Sequence, residues 1–229
     1  MLRILILKQY IHHLSVNSVY RIINELSIMT GKFIVIDGPD GSGTTRHSAF
    51  LAEKMRTSGE TVVLSAEPTD SPMGKNVRQI LHQETMPSPD AVQLLFCADR
   101  ANHVASLLLP ALEKGNTIIL DRYILSTIVY GSAQGISKKW LIAVNSVFPQ
   151  PDLTIIALPP FEVCMDRIGR RNVQDQFEVE NFQRQVYAKY ASIEDPSVIF
   201  VDTSGPKNTV ANTVYDHVTQ YFKKSLVNT

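Results

Sequence analysis

Short apolar runs alternate with longer stretches of helical periodicity through most of the chain. The short runs are rich in valine and isoleucine and do not alternate with polar residues, a pattern typical of strands covered on both faces of a parallel sheet. The predicted strands span residues 32–37, 61–66, 116–121, 153–158 and 197–202. The predicted helices span residues 44–57, 73–83, 90–113, 123–133, 138–147, 160–170, 179–192 and 207–224. This order predicts an α/β fold, a three-layer sandwich in which helices flank a five-stranded parallel sheet.

The N-terminal segment stands apart from this alternation. Residues 1–28 are basic, with no acidic residue before Glu25, and this composition resembles a mitochondrial transit peptide. An upstream start codon and a helical extension are the other interpretations. Together these two are favoured, because the globular pattern begins cleanly at Met29. We therefore predict an N-terminal extension, residues 1–28, and one globular domain, residues 29–229.

Composition narrows the class of protein. The 229 residues are 44% apolar, and 22 basic residues balance 22 acidic ones. A nucleic-acid-binding surface needs a basic excess, so we expect no nucleic-acid partner. No apolar run approaches the length of a membrane span, so we expect a soluble, cytoplasmic protein, or a mitochondrial one if residues 1–28 form a transit peptide. Cys97 and Cys164 lie in apolar runs, which favours buried thiols over a disulfide or a metal site.

A glycine-rich segment, GPDGSGTT, joins the first predicted strand to the first predicted helix. Such a segment lets successive backbone N–H groups surround a phosphate at the start of a helix, as in a P-loop. Thr45 takes the position whose hydroxyl binds Mg²⁺ in this motif. Thr44 replaces the lysine of the motif, and the lost contact between that lysine and the phosphates is worth roughly 1.5–3 kcal/mol. Arg46 is either a substitute charge or a solvated surface residue, and a glycine turn without ligand is the alternative for the whole segment. The predicted ATP-binding residues are Gly38, Pro39, Asp40, Gly41, Ser42, Gly43, Thr44 and Thr45.

Further polar clusters follow the second and third predicted strands, EPTDSPMG and DRY. The carboxyl ends of parallel strands meet at one edge of a sheet, so these clusters and the glycine-rich segment should share one crevice. In LLFCADRANH, Phe96 and Arg100 are one helical turn apart, and a ring beside a guanidinium suits a planar base. The alternative places Phe96 in the core and Arg100 in a salt bridge.

Five segments carry a family resemblance: FIVIDGPDGSGTT, EPTDSPMGKNVRQIL, LLFCADRANH, ILDRYILSTIVYGSAQG and PDLTIIALPP. In this order they resemble the thymidylate kinase family of P-loop nucleoside monophosphate kinases, over residues 32–224. The resemblance implies a P-loop NTPase-type fold with a short lid, phosphorylation of dTMP to dTDP by ATP with Mg²⁺ as cofactor, and a homodimer. There are two alternatives. The chain is a kinase for another deoxynucleoside monophosphate such as dUMP, or it is a noncatalytic nucleotide-binding relative.

The resemblance also implies roles for single residues. Arg122 grips the acceptor phosphate, Asp121 organises Mg²⁺ together with Thr45, and Asp40 contacts the 3′-hydroxyl of the acceptor sugar. The residues that would contact the base and the sugar ring are Phe96, Arg100, Thr127, Tyr130 and Gln134. Of these, Phe96 would stack on thymine, Arg100 would bind its exocyclic oxygen, and Tyr130 would crowd C2′ and favour deoxyribose. Ordinary packing is the alternative for Tyr130.

A cationic segment, residues 166–178, follows the fourth predicted strand and resembles the mobile lid of the family. Phosphoryl transfer is accelerated by positive charge around the moving group and by exclusion of water, and a closing arginine supplies both. We therefore predict that Arg167 and Arg171 are catalytic, together with Arg122 and Asp121. A solvated helix end is the alternative interpretation of this segment. Ala66 is a further departure, because many relatives carry arginine before Glu-Pro.

Overall fold

The computed structural model of the protein describes residues 31–83, 85–170 and 177–227. Its strands in these ranges are β1 Phe33–Asp37, β2 Val62–Ala66, β3 Thr117–Asp121, β4 Leu153–Ala157 and β5 Val198–Val201. They form one parallel sheet in the order β2-β3-β1-β4-β5. All five predicted strands are confirmed to within one residue at each end. Residues 1–28 lie outside the described residues, so the predicted division of the chain stays a prediction.

Helices follow each strand and cover the sheet. They are α1 Thr44–Thr57, α2 Pro72–Leu81, α3 Pro89–His103, α4 Leu109–Glu113, α5 Ile124–Ala133, α6 Lys138–Asn145, α7 Phe161–Gly169, α8 Glu180–Ala191 and α9 Lys207–Val227. The predicted helical stretches are confirmed to within three residues at their ends. In the part of the chain that the structure describes, none of these helices has the length and hydropathy needed to cross a membrane.

The stretch predicted as one helix over 90–113 is instead interrupted. A π-helical stretch, Val104–Leu108, separates α3 from α4. Pro110 explains the interruption, because it lacks an N–H and its ring collides with the carbonyl group four residues earlier in a regular α-helix. The wider turn of a π-helix accommodates both effects without ending the helical rod.

The core has one layer on each face of the sheet. On one face Ile34, Ile36 and Ile155 pack against α1 and α9. On the other face Phe33 and Val35 pack against the helical rod that runs from α3 to α4 and against the start of α5. Successive residues of β1 therefore point to opposite layers, and both layers are apolar. This double coverage is the reason why the strands show no alternation with polar residues.

A buried aspartate ends β1 and connects it to three other parts of the fold. The Asp37 carboxylate accepts hydrogen bonds from the hydroxyls of Ser126 and Tyr190, both at 2.6 Å. It also accepts from the backbone N–H groups of Gly38 at 2.9 Å, and of Tyr123 and Ser126 at 3.2 Å. The negative group thus lies at the N-terminus of α5, where the helix dipole favours it. Asp37 holds β1, the following loop, α5 and α8 in one arrangement.

Replacing Tyr190 with phenylalanine tests this connection, because it removes only the hydroxyl. The lost bond is buried and its acceptor is a carboxylate, so we expect the free energy of unfolding to fall by about 1.5–3 kcal/mol in urea titrations. Tyr215→Phe is the matched control, since its hydroxyl pairs with exposed Ser58, and should change stability by less than about 0.5 kcal/mol. Equally small changes in both variants would contradict the role assigned to Asp37.

Candidate functional site

The loop between β1 and α1 has the backbone geometry of an anion site. Gly41 has a φ of +77°, and a side chain there would collide with the carbonyl oxygen of Cys164. Gly43, with a φ of +92°, is the N-terminal cap of α1. Both glycines thus adopt left-handed conformations that let a loop curve around an anion, and the loop ends at the N-terminus of α1, where the helix dipole favours negative charge. The predicted P-loop geometry is therefore present.

The outer side of this loop is held by α7. The Arg167 guanidinium donates to the carbonyl oxygens of Gly41 and Ser42, at 3.1 and 3.3 Å, and to that of Thr203 at 2.8 Å. The Thr203 hydroxyl also donates to the Ser42 carbonyl at 2.6 Å. Arg167, predicted as a lid residue, thus lies against the P-loop with its charge beside the anion site. Arg171, predicted with it, lies outside the described residues.

Thr45 and Asp121 lie together at the start of α1 and the end of β3. The Thr45 hydroxyl donates to Oδ2 of Asp121 at 2.5 Å. Oδ1 of Asp121 is buried and has no hydrogen-bond donor within the described residues. An aligned hydroxyl and carboxylate are hard oxygen ligands of the type Mg²⁺ takes, with water and substrate phosphate completing its shell. The described residues hold no cluster of three or more carboxylate, histidine or cysteine groups that could bind a metal on their own.

A cavity of about 130 Å³ opens beside the P-loop. It brings together six of the seven residues predicted to bind the acceptor. Those residues are Asp40, Phe96, Arg100, Arg122, Thr127 and Tyr130. Gln134 is the exception: it does not line the cavity, and its side chain instead accepts a hydrogen bond from Nε2 of Gln93 at 3.0 Å. Gln93, which does line the cavity, lies between Gln134 and the space that a ligand would fill.

Arg122 joins the cavity to the P-loop. Its Nη1 donates to the Gly38 carbonyl at 2.8 Å, and its Nη2 donates to Asp40 at 2.6 Å. The residue has a φ of +64°, a left-handed conformation that non-glycine residues rarely adopt. Gln183 of α8 donates to the other oxygen of Asp40 at 2.7 Å. The guanidinium is therefore placed before any ligand arrives.

A second buried network fixes Arg100 from behind. Its Nε donates to Glu67 at 2.8 Å, its Nη2 to Thr127 at 3.0 Å, and its Nη1 to Asn145. The other oxygen of Glu67 lies 3.0 Å from Nδ1 of His103. The side chain of Arg100 is 1% exposed, and three of its five N–H donors are used in these contacts. Arg100 is thus both the salt-bridge partner of the alternative interpretation and a residue of the cavity wall.

A second cavity, of about 210 Å³, lies on the other side of the P-loop. Arg46, His47, Arg167 and Lys207 contribute to its walls. Burial, and then the guanidinium groups of Arg167 and Arg46, lower the pKa of His47 to about 4, so its ring is neutral near pH 7. Three cationic side chains and a neutral ring beside the P-loop are groups that suit an anionic or aromatic ligand.

The sequence profile of the thymidylate kinase family matches residues 36–214. The chain belongs to the thymidylate kinase family. A probable thymidylate kinase of Pyrococcus horikoshii is 41% identical over 173 residues, which are 73% of this chain and 84% of that protein. The thymidylate kinase of Pseudomonas fluorescens is 33% identical over 189 residues, 78% of this chain and 90% of that one.

A solved structure agrees with this membership. The structure of thymidylate kinase from Candida albicans superposes with a TM-score of 0.70 at 26% identity, over 83% of this chain and 92% of that chain. The predicted resemblance and the α/β P-loop fold are therefore confirmed.

Sequence analysis assigned no individual role to several residues that the structure brings to this crevice. Glu67 had a usable signal, because an acidic residue directly after a predicted strand faces the crevice. Gln93 stands one helical turn before Phe96 and could have been found from that spacing. Asn145 and Gln183 had no local signal, since each reaches the site from a helix distant in sequence.

Replacing Glu67 with glutamine would leave the buried Arg100 without its counter-charge. We expect the free energy of unfolding to fall by about 3 kcal/mol, because breaking a buried ion pair strands a desolvated charge. Asp70→Asn is the control, since Asp70 is 98% exposed and its pair with Arg78 should contribute less than about 1 kcal/mol. Chemical denaturation of both variants measures the difference, and a loss for Glu67→Gln no larger than the control would argue against the network.

Proposed function

We propose that the protein transfers the γ-phosphoryl group of ATP to dTMP, giving ADP and dTDP for dTTP synthesis. The observation that carries this proposal is the position of Asp40, which belongs to the P-loop and also lines the cavity beside it. One residue thus borders the anion site and the acceptor cavity, so a donor phosphate and an acceptor phosphate can approach each other. Membership in the thymidylate kinase family supports the same substrates.

The acceptor half of the crevice suits a deoxynucleoside monophosphate. Arg122 is the cation that would hold the acceptor phosphate, and its guanidinium lies 5.6 Å from the ring centroid of Tyr130. The Tyr130 ring would then face the sugar, which leaves little room for a 2′-hydroxyl. Asp40 would accept a hydrogen bond from the 3′-hydroxyl. Phe96 would stack on the base, and the two unused N–H groups of Arg100 are available to a carbonyl oxygen of that base.

The donor half consists of the P-loop and the second cavity. The backbone N–H groups of residues 41–45 would bind the β- and γ-phosphates, and the cavity walled by His47 and Lys207 would take the rest of ATP. Thr45 and Asp121 would hold Mg²⁺, which when bound would offset the negative charge of the phosphates. An oxygen of the dTMP phosphate forms a bond to the γ-phosphorus, and the bond from that phosphorus to the β-phosphate oxygen breaks. No base is needed, because a phosphate monoester is already ionised near neutral pH.

Because Thr44 replaces the P-loop lysine, other residues must supply the positive charge around the donor phosphates. In place of the lysine, Arg122 and Arg167 both lie on carbonyl oxygens of the P-loop, one at each end. Their charges act on the phosphates at short range in a partly buried crevice, where electrostatic interactions are less screened than in water. We propose that these two arginines support transfer without the lysine, at a reduced rate.

The test is ADP release by the full chain with ATP, Mg²⁺ and each of several nucleoside monophosphates. We expect dTMP to trigger release, and Thr44→Lys to raise turnover roughly ten- to a hundredfold, since one charge-assisted contact contributes about 1.5–3 kcal/mol. Thr57→Lys, the same change at the exposed end of α1, should leave the rate unchanged.

Three results would count against the proposal. Release only with Thr44→Lys would show that the natural chain binds nucleotides without turning them over. Release with another monophosphate but not with dTMP would reassign the acceptor. If neither the natural chain nor Thr44→Lys releases ADP although both fold, the proposed kinase activity is wrong.

The proposed assembly is a homodimer formed through exposed helices. Leu94 of α3 and Ile142 of α6 are 47% and 45% exposed, and the bond from Arg100 to Asn145 places their helices side by side. Sedimentation of the full chain should give twice the mass of one chain, and Ile142→Glu should shift it to the monomer. Val179→Glu, at an exposed valine before α8, should have no such effect. A monomeric wild-type chain would contradict this assembly.

A further inference from the structure

His103, the last residue of α3, lies behind the wall of the acceptor cavity. Its side chain is 4% exposed and is not among the residues that line the cavity. Nδ1 of the ring lies 3.0 Å from Oε1 of Glu67, and Nε2 lies 2.8 Å from Oγ of Ser65. Both ring nitrogens therefore have partners, and these two contacts fix the orientation of the ring.

The chemistry of the two partners decides which ring nitrogen carries the proton. Glu67 forms a buried salt bridge with Arg100, so its carboxylate accepts and Nδ1 of His103 donates. In the neutral ring Nε2 is then an acceptor, and the Ser65 hydroxyl donates to it. The hydrogen bonds thus run in one direction, from Ser65 through His103 to Glu67.

The Glu67 carboxylate is held at both of its oxygens. Oε2 accepts from Nε of Arg100 at 2.8 Å, and Oε1 accepts from His103. The last side-chain torsion of a glutamate is soft, so a carboxylate bound at one oxygen alone can turn. Hydrogen bonds at both oxygens fix its plane. Because the guanidinium is itself rigid and planar, a fixed carboxylate also fixes Nε of Arg100. His103 thus acts on Arg100 through Glu67.

This network reaches the space that a ligand would fill. Glu67 and Arg100 both line the cavity, as does Thr127, which accepts from Nη2 of Arg100. The alignment of the guanidinium therefore depends on Glu67 at Nε and on Thr127 and Asn145 at the two Nη atoms. Of these three acceptors, Glu67 is the one whose own position depends on His103.

We propose that His103 is a positioning residue for the acceptor nucleotide: it fixes the Glu67 carboxylate, and so keeps Arg100 aligned with the base. Ser65 contributes by keeping the proton of the imidazole on Nδ1. This inference rests on the proposed function, which assigns the cavity to a nucleoside monophosphate and the base to Arg100.

Two substitutions of His103 separate this role from packing. Asparagine places an amide N–H as many bonds from Cα as Nδ1 is, so it can still donate to Glu67, whereas leucine fills space without a donor. In calorimetric titrations of the full chain without ATP, we expect His103→Leu to bind dTMP about tenfold more weakly and His103→Asn to stay within about twofold of the wild-type chain. If His103 only filled space, leucine would be tolerated better than the smaller, polar asparagine.

ATP affinity, titrated separately on the same proteins, is the internal reference. It should change in neither variant, because no residue of this network belongs to the P-loop or to the second cavity. In the matched control, His217→Leu removes a half-buried ring from α9, on the other face of the sheet. It should leave the affinities for dTMP and ATP unchanged.

The wild-type chain supplies a spectroscopic readout that does not depend on the folding of a His103 variant. Nitrogen NMR chemical shifts of the ring show which nitrogen carries the proton, and we expect Nδ1 to be protonated. Ser65→Ala removes the donor to Nε2, so it should increase the fraction of rings protonated at Nε2 instead and weaken dTMP binding by about two- to threefold. An unprotonated Nδ1 in the wild-type chain would overturn the inference.

The titrations can also overturn it. His103→Leu binding dTMP as well as the wild-type chain, His103→Asn binding no better than His103→Leu, or an equal loss of dTMP and ATP affinity would each do so, while ADP release with dTMP would leave the proposed function intact. A wild-type chain that does not bind dTMP would refute both. If the expected ranking is found but no ADP is released, transfer is absent and the role of His103 in dTMP binding stands.

Discussion

The arrangement of the site depends on one buried carboxylate. Asp37 accepts five hydrogen bonds that come from the P-loop, from the segment that carries Arg122, and from α8. These three elements border the crevice, on the sides proposed for the donor, the acceptor phosphate and the acceptor sugar. Because the same two oxygens hold all three, a shift in one element strains the bonds to the others. The relative positions of the P-loop, Arg122 and α8 are therefore set within the fold.

The cationic side chains of the crevice are also held in place by the protein before any ligand binds. Arg100, Arg122 and Arg167 are each bound by several protein acceptors, mostly backbone carbonyls, side-chain amides and carboxylates. Such cations cannot follow a moving ligand in the way that a lysine on a flexible stem can. They provide a fixed field instead, and a field arranged beforehand does not need to reorganise during reaction. The replacement of the P-loop lysine by Thr44 thus changes the kind of electrostatic support as well as its amount.

The sequence was sufficient for the fold and for part of the site, and the division has a physical cause. Buried parallel strands must be apolar on both faces, so their positions can be read directly from the chain, as for residues 33–37 and 117–121. Phosphate loops need glycine at fixed spacing, and helical periodicity places Phe96 and Arg100 on one face. Gln183 and Asn145 reach the crevice only through tertiary packing, so no local sequence pattern predicts their position there. Gln134 stays a prediction: it does not line the cavity, and only the packing of α3 on α5 brings its side chain to Gln93.

The left-handed backbone of Arg122 links stability to function in an unfavourable way. A non-glycine residue in this conformation costs about 1–2 kcal/mol, and glycine would relieve that strain. Selection of variants for heat resistance alone would therefore favour glycine at this position and discard the guanidinium that we propose binds the acceptor phosphate. A library screened in that way would enrich well-folded chains with an impaired acceptor site. Position 122 is thus a place where a stability-only score and a functional score should rank the same substitution in opposite order.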